Sequence, residues 1–391
     1  MKVLSSQIQY GVPLARYTSL GVGGPASALA RAAHESHVEE LVAWAKGRSL
    51  PVVVLGGGSN AVVSDAGIHG LVILMEIQGI SVLRETDDYV EVAVGAGESW
   101  DRFVEHAVTR GWWGVENMSL VPGTVGAVAV QNVSAYGQSC SSVIVSVRAY
   151  DVAQDKFVEL SNNECRLGFR SSVFNTDSPG RYIIVRIVFR LHKNGKPQLN
   201  RKPLARAVAE LRAREQGGSA KAILDTIRRD PGVVRQAEVR AAVIRLRTSG
   251  RLLPLPGTVG NAGTFFRASI IPHERFPQVL RTTLLRAGLR TAGALAACRM
   301  KLSSPLGVKV PSNRLIVGCG LAGASSGGVS LYPPNCAVLI ADPDRGATAA
   351  DVVNVIRLVR TEVFRRTGVV VPIEPTLLGF SSDELKTIFE V

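Results

Sequence analysis

The chain has 391 residues, 46% hydrophobic and 20% charged, which excludes a disordered or fibrous protein and leaves room for two or three domains. No uninterrupted apolar run is long enough to span a bilayer, and the start MKVLSSQIQYGVPLAR lacks the apolar core of a secretory signal, so a cytoplasmic location is expected. The net charge of +13 is local: Arg181 to Arg251 holds 18 Lys and Arg against 5 Asp and Glu, and the rest of the chain balances. Such a span suits a diphosphate-bearing small molecule, a nucleic acid or a solvated helical face.

In chain order, SHVEELVAWAKGRS is predicted helical, with Ser36 and Glu39 in capping-box spacing and Val38, Leu41, Val42 and Ala45 on one face. LPVVVL reads as a strand buried on both faces, and GLVILM as another. Between them stands VVLGGGSNAVVSD, Val53 to Asp65, whose Gly56-Gly57-Gly58 means either a loop cradling a phosphate or a tight surface turn. DYVEVAVGAG alternates Val90, Val92 and Val94 to one side, and SWDRFVEHAVTRG places Trp100, Phe103, Val104 and Ala107 on a helical face. VIVSVRAYD and RYIIVRIVFRLH are strands. The small-residue stretch SLVPGTVGAVAVQNVSAYGQSCS between them suggests backbone lying against a ligand.

HKNGKPQLNRKP is a linker, REQGGSAKAILDTIRRDPG extra helix and loop, and AEVRAAVIRLRTSG a helix. LRTAGALAACRMKLSSPLG starts weakly helical and then loops. The clearest helix is GATAADVVNVIRLVRTEVFRRTG, capped by Thr348 and Asp351, striped by Val352, Ile356, Val359 and Val363, and stopped by Gly368. The segment VGAG, Val94 to Gly97, is only a fragment of the dinucleotide-binding glycine pattern, so a dinucleotide Rossmann fold is not expected. Cys140, Cys165, Cys298, Cys319 and Cys336 are odd in number and scattered, so a disulfide framework and a metal site are not suggested. His69 and His106 have no ligand-spaced partners and read as surface or core residues.

Six segments, in order, resemble the UDP-N-acetylenolpyruvoylglucosamine reductase (MurB) family: YTSLGVGGPA, LGGGSNAVVSDAGIHGLV, VPGTVGAVAVQNVSAYG, ECRLGFRSSVF, GNAGTFFRASI and PIEPTLLGF. The resemblance implies an α+β protein: a two-lobed FAD-binding fold of the vanillyl-alcohol-oxidase/MurB type plus a C-terminal substrate-binding α+β domain. It implies FAD-binding subdomains at residues 1–80 with 371–391 and at 81–192, and a substrate-binding domain at 193–370. FAD contacts are carried onto Gly56, Gly57, Gly58, Ser59, Asn60, Gly123, Thr124 and Gly126. The implied reaction takes a hydride from NADPH through FAD to an enolpyruvyl UDP-sugar in peptidoglycan synthesis. In it Arg170 faces the substrate carboxylate, Thr264 donates the proton, and Glu374 acts beside them. Arg251 and Arg267 are expected to bind substrate.

The chain departs from the family pattern around these residues. The family's usual proton donor is serine, sometimes cysteine, where Thr264 adds a stiffening methyl. Tyr-Arg-Asp-Ser becomes Phe169-Arg170-Ser171-Ser172, Phe-Phe-Lys-Asn-Pro becomes Phe265-Phe266-Arg267-Ala268-Ser269, and Ser134 replaces a glycine. Two alternatives therefore stay open: a diverged flavin reductase acting on another enolpyruvyl or unsaturated sugar nucleotide, and a non-catalytic basic binding protein. Between Arg181 and Arg251 the only aromatics are Tyr182 and Phe189, too few for base stacking, so nucleic acid is not expected. A monomer with no membrane partner is expected.

Overall fold

The computed structural model describes residues 7–255 and 257–390. The chain packs as two units. The first comprises the described residues ahead of Pro13, Ala26–Gly57 and His69–Arg247; the second comprises Pro13–Pro25, Gly58–Ile68 and the described chain from Thr248 on. This cuts the chain differently from the three expected segments. The region after 371 falls with the second unit, and the helices before Arg247 fall with the first unit.

In the first unit, the Glu35–Lys46 helix turns Val38, Leu41, Val42 and Ala45 inward as its spacing requires. It begins earlier than the capping pattern suggests: its N-cap is His34, without a side-chain cap, and Glu35 pairs with Arg148 at 2.9 Å. Val52–Leu55 runs parallel to Ile68–Met75 at the edge of a four-stranded sheet. Val54 is exposed and only Leu55 is buried, so the expectation of a strand buried on both faces is not met. Ile68–Met75 is interior to the sheet and buried along nearly its whole length.

A second, antiparallel sheet orders Lys156–Ser161, Ile144–Asp151, Tyr182–His192, Tyr89–Gly95 and Ile80–Glu85. Val90, Val92 and Val94 face one core with Trp100, Phe103, Val104 and Ala107 of the Trp100–Thr109 helix. The glycine-rich stretch after it contains a short helix, Val125–Val130, that its composition did not suggest. Three helices, Lys202–Gln216, Ala220–Arg229 and Gln236–Arg247, build a small core of their own around Leu204, Val208, Ile227 and Val239. They are tied to this unit by Arg240 on Asp101 (2.7 Å), Arg247 Nε on the Leu120 carbonyl (3.1 Å) and Gln236 Nε2 on the Trp112 carbonyl (2.7 Å).

The second unit holds an antiparallel sheet ordered Gly260–Thr264, Val338–Ala341, Val329–Leu331, Ser325–Ser326. The Ala349–Thr367 helix buries Val352, Ile356, Val359 and Val363 against this unit's core. It is closed at its start by the Thr348–Asp351 capping box and at its end by Gly368 in the left-handed conformation, as its sequence predicts. Thr376–Leu378 pairs in parallel with Ala61–Val63, which puts the C-terminal strand in this unit. No helix among the described residues is long and apolar enough to cross a membrane.

Candidate active site

In the first unit the two glycine-rich segments touch. A Cβ on Gly56 would stand 2.3 Å from Thr124 Oγ1, and one on Gly57 would stand 2.9 Å from Gly123 Cα. Gly123 has φ +112°, and a Cβ on Gly126 would meet Ala96 at 2.9 Å. Glycine is therefore required by close chain packing at these positions, whatever else the loop does. The backbone N–H groups of Gly56, Gly57 and Gly123 find no hydrogen-bond acceptor among the described residues, which leaves donors for an anionic group. Gly126 differs, because its N–H donates to the Ala96 carbonyl at 2.8 Å.

Arg170 sits half-buried in the same unit at φ +55°, in the left-handed region that L-residues seldom occupy. A tight Gly168–Ser171 bridge makes the turn. It is pinned by Asn132 Nδ2 to the Gly168 carbonyl (2.8 Å), Asn175 Nδ2 to the Arg170 carbonyl (3.3 Å) and Ser172 Oγ to the Val130 carbonyl (2.6 Å). Ser172 and Asn175 also cap the next turn reciprocally. These holders were not singled out from the sequence, although the Ser-x-x-Asn spacing is a readable capping signal. Phe169, beside Arg170, is 60% exposed.

The second unit assembles the other half of the residues. Gly58 is buried with φ +58°, and a Cβ there would fall 1.9 Å from the Tyr17 carbonyl oxygen. Its carbonyl accepts from Ser19 N–H at 3.1 Å, and Ser19 Oγ donates to the Asn261 carbonyl at 2.7 Å, joining the loop to the Gly260–Thr264 strand. Gly263 takes φ +69° at a bulge, after which Thr264 is exposed while Phe265 and Phe266 are wholly buried. The Glu374 segment lies against those residues: Glu374 N–H donates to the Phe265 carbonyl (2.9 Å), Ile373 bridges Phe266, and Arg267 N–H donates to the Pro372 carbonyl (2.8 Å).

Asn60 brackets Glu374, donating from Nδ2 to its carbonyl (3.4 Å) and accepting Thr376 N–H (3.0 Å). Asn60, Thr264, Arg267 and Glu374 are thus neighbours through backbone pairing. Arg267 Nε is buried without a hydrogen-bond partner among the described residues. Arg251 is exposed on a segment held by Tyr332 on the Gly250 carbonyl and Asn335 on the Leu252 carbonyl.

Two family models match the chain: the FAD binding domain over residues 26–161 and the UDP-N-acetylenolpyruvoylglucosamine reductase C-terminal domain over residues 255–378. A UDP-N-acetylenolpyruvoylglucosamine reductase of Neisseria meningitidis serogroup A is 34% identical over 375 residues, covering 96% of this chain and 98% of its own. The chain belongs to the UDP-N-acetylenolpyruvoylglucosamine reductase family. The reductase of Burkholderia vietnamiensis is 35% identical over 94% of this chain and 95% of its own. The fold agrees with the crystal structure of the reductase from Thermus caldophilus: TM-score 0.58 at 20% identity, covering 95% of this chain and 98% of that one.

The FAD binding domain match contains the two glycine-rich segments, and the reductase C-terminal match contains Thr264, Arg267 and Glu374; Arg170 and Arg251 lie outside both model spans. All five cysteines are buried and free. Burial pushes the Cys165 thiol up to about 12, which keeps it protonated and inert. No metal-ligating cluster occurs among the described residues. His106 is a surface residue hydrogen-bonded by Arg110 Nε at 2.8 Å.

Proposed function

We propose that this protein is a cytoplasmic, FAD-dependent reductase that uses NADPH to convert the enolpyruvyl ether of UDP-N-acetylglucosamine to UDP-N-acetylmuramate for peptidoglycan. The observation that carries the reading is the pairing of the Glu374 segment with Phe265–Arg267, which sets an exposed hydroxyl beside a carboxyl-bearing turn within a chain of this family. The unclaimed N–H groups of Gly56, Gly57 and Gly123 fit the diphosphate of FAD, with Gly58, Ser59, Asn60, Thr124 and Gly126 shaping the same loops. FAD, when bound, supplies hydride transfer between the nicotinamide and the enolpyruvyl carbon.

What the chain's own residues do follows from their chemistry. Arg170 is a permanent planar cation, suited to charge that spreads into the substrate carboxylate as hydride arrives. Its strained turn is held by three side-chain hydrogen bonds, so the guanidinium is placed at little cost in reorganisation. Thr264 Oγ1 delivers a proton to the adjacent carbon, which needs only a hydroxyl within hydrogen-bond reach. Glu374, fixed between Asn60 and Phe265, completes the acid–base set. Arg267 and Arg251 contribute cations for the UDP diphosphate, and the unpartnered Nε of Arg267 is a donor waiting for such a group.

The test starts from the purified protein. An oxidised-flavin spectrum that bleaches with NADPH and recovers when the enolpyruvyl UDP-sugar is added supports the reading. NADPH loss no faster with that substrate than without it would sink the assignment.

A further inference from the structure

The basic span counted from the sequence is neutralised in part in the fold. Arg181 pairs with Asp151 (2.7 Å), Arg190 with Glu91 (2.6 Å), Lys193 with Glu85 (2.6 Å), Arg212 with Glu238 (2.7 Å) and Arg240 with Asp101 (2.7 Å). A different stretch of the sequence carries cations with no acidic residue among them. No Asp or Glu occurs between Glu274 and Asp342, whereas Arg275, Arg281, Arg286, Arg290, Arg299, Lys301, Lys309 and Arg314 all do.

Two helices in this stretch, Phe276–Ala287 and Leu289–Lys301, join at Gly288 (φ +85°). The second has a buried face of Thr291, Ala292, Leu295 and Cys298. Its opposite face is apolar too. Leu289 and Met300 are eleven residues apart, about three turns, so they share one side with Gly293 and Ala296 between them. Leu289 is 77% exposed and Met300 79%, and Leu285, in the last turn before the corner, is 75% exposed. Arg281, Arg286, Arg290, Arg299 and Lys301 are exposed around this stripe. An outward apolar stripe whose own two helices carry cations and no acidic residue is the pattern of a surface that rests on anionic lipid, with apolar side chains at the acyl boundary and guanidinium groups at the phosphates.

We propose that this helix pair docks the protein peripherally on a membrane surface bearing anionic phospholipid. A second copy of the chain is the poorer occupant, because a two-fold contact would set this acid-free cationic fringe against itself. The hydropathy that excludes a spanning helix does not bear on peripheral docking, and the proposal stands independently of the reductase reading.

Flotation of the full-length protein with vesicles tests it, using phosphatidylcholine alone and phosphatidylcholine mixed with phosphatidylglycerol. The protein floats with the mixed vesicles only, and added salt releases it. The triple variant Leu285→Ser, Leu289→Ser, Met300→Ser loses binding. The double variant Arg290→Glu, Lys301→Glu, whose substitutions lie wholly on exposed side chains, weakens it about tenfold or more, with thermal melts unchanged. Equal binding to both vesicle types, or wild-type binding by the charge-reversal variant, overturns the proposal. So does a change of oligomeric state in the apolar variant, or tight binding of polyglutamate that survives the apolar substitutions.

Discussion

Arg170 holds a left-handed backbone that costs an L-residue on the order of 1 kcal/mol, and three neighbouring side chains keep it there. In the function proposed above, the fold tolerates that strain for the sake of the guanidinium. Arg170→Gly relieves that strain, so it is expected to leave the melting temperature unchanged or slightly higher. It should also slow substrate-dependent turnover by about a hundredfold; a melt beside a steady-state assay reads both. Thr264 gives a second separation. Thr264→Ala should leave NADPH bleaching intact and slow reoxidation by the enolpyruvyl substrate by about a hundredfold or more, while Thr264→Ser retains it. Rapid-mixing absorbance of the two half-reactions checks this pair. The motif letters made Arg170 and Thr264 readable as candidates. The bulge that exposes Thr264 was not readable, because its strand pairs with a distant segment, and the Arg170 turn was readable only in its local Ser172–Asn175 cap, since Asn132 and Val130 also hold it.

The Ala349–Thr367 helix shows how far local pattern reaches in a single element. Its cap, stripe and stop follow from the sequence because each depends on residues a turn apart. Asp65 does not: it accepts the N–H groups of both Ala349 and Ala350 at 2.8 Å from more than 280 positions away. Thr348→Ala should cost about 1 kcal/mol and Asp65→Ala about 1–2 kcal/mol in denaturant unfolding. In the three-helix core of the first unit, Arg212 above all, then the Arg235 N–H, hold the Glu238 carboxyl at about 2, below its ordinary 4.5. A depressed folded pKa means the pair stabilises fully above about pH 4.5 and fades as pH falls toward 2. Glu238→Gln should therefore cost about 3 kcal/mol at neutral pH and flatten the acid dependence of the melt across that window.

Across the whole molecule, each unit is woven from separated stretches of chain. The second unit's core includes Leu20, Val22 and Val62 from the N-terminal region, and its C-terminal strand pairs with Ala61–Val63. A fragment beginning at Thr248 lacks all of these, and it should show no cooperative thermal unfolding by circular dichroism. By itself the sequence determined the family, the glycine loops and the amphipathic helices, since motif order and residue periodicity are local properties that survive without coordinates. Only the tertiary structure decided that Val52–Leu55 is an edge strand, that the Lys202–Arg247 helices join the first unit, and which cations after Arg181 are paired. Strand neighbours, helix docking and ion pairs are set by residues far apart in the chain, and no window of sequence contains both partners.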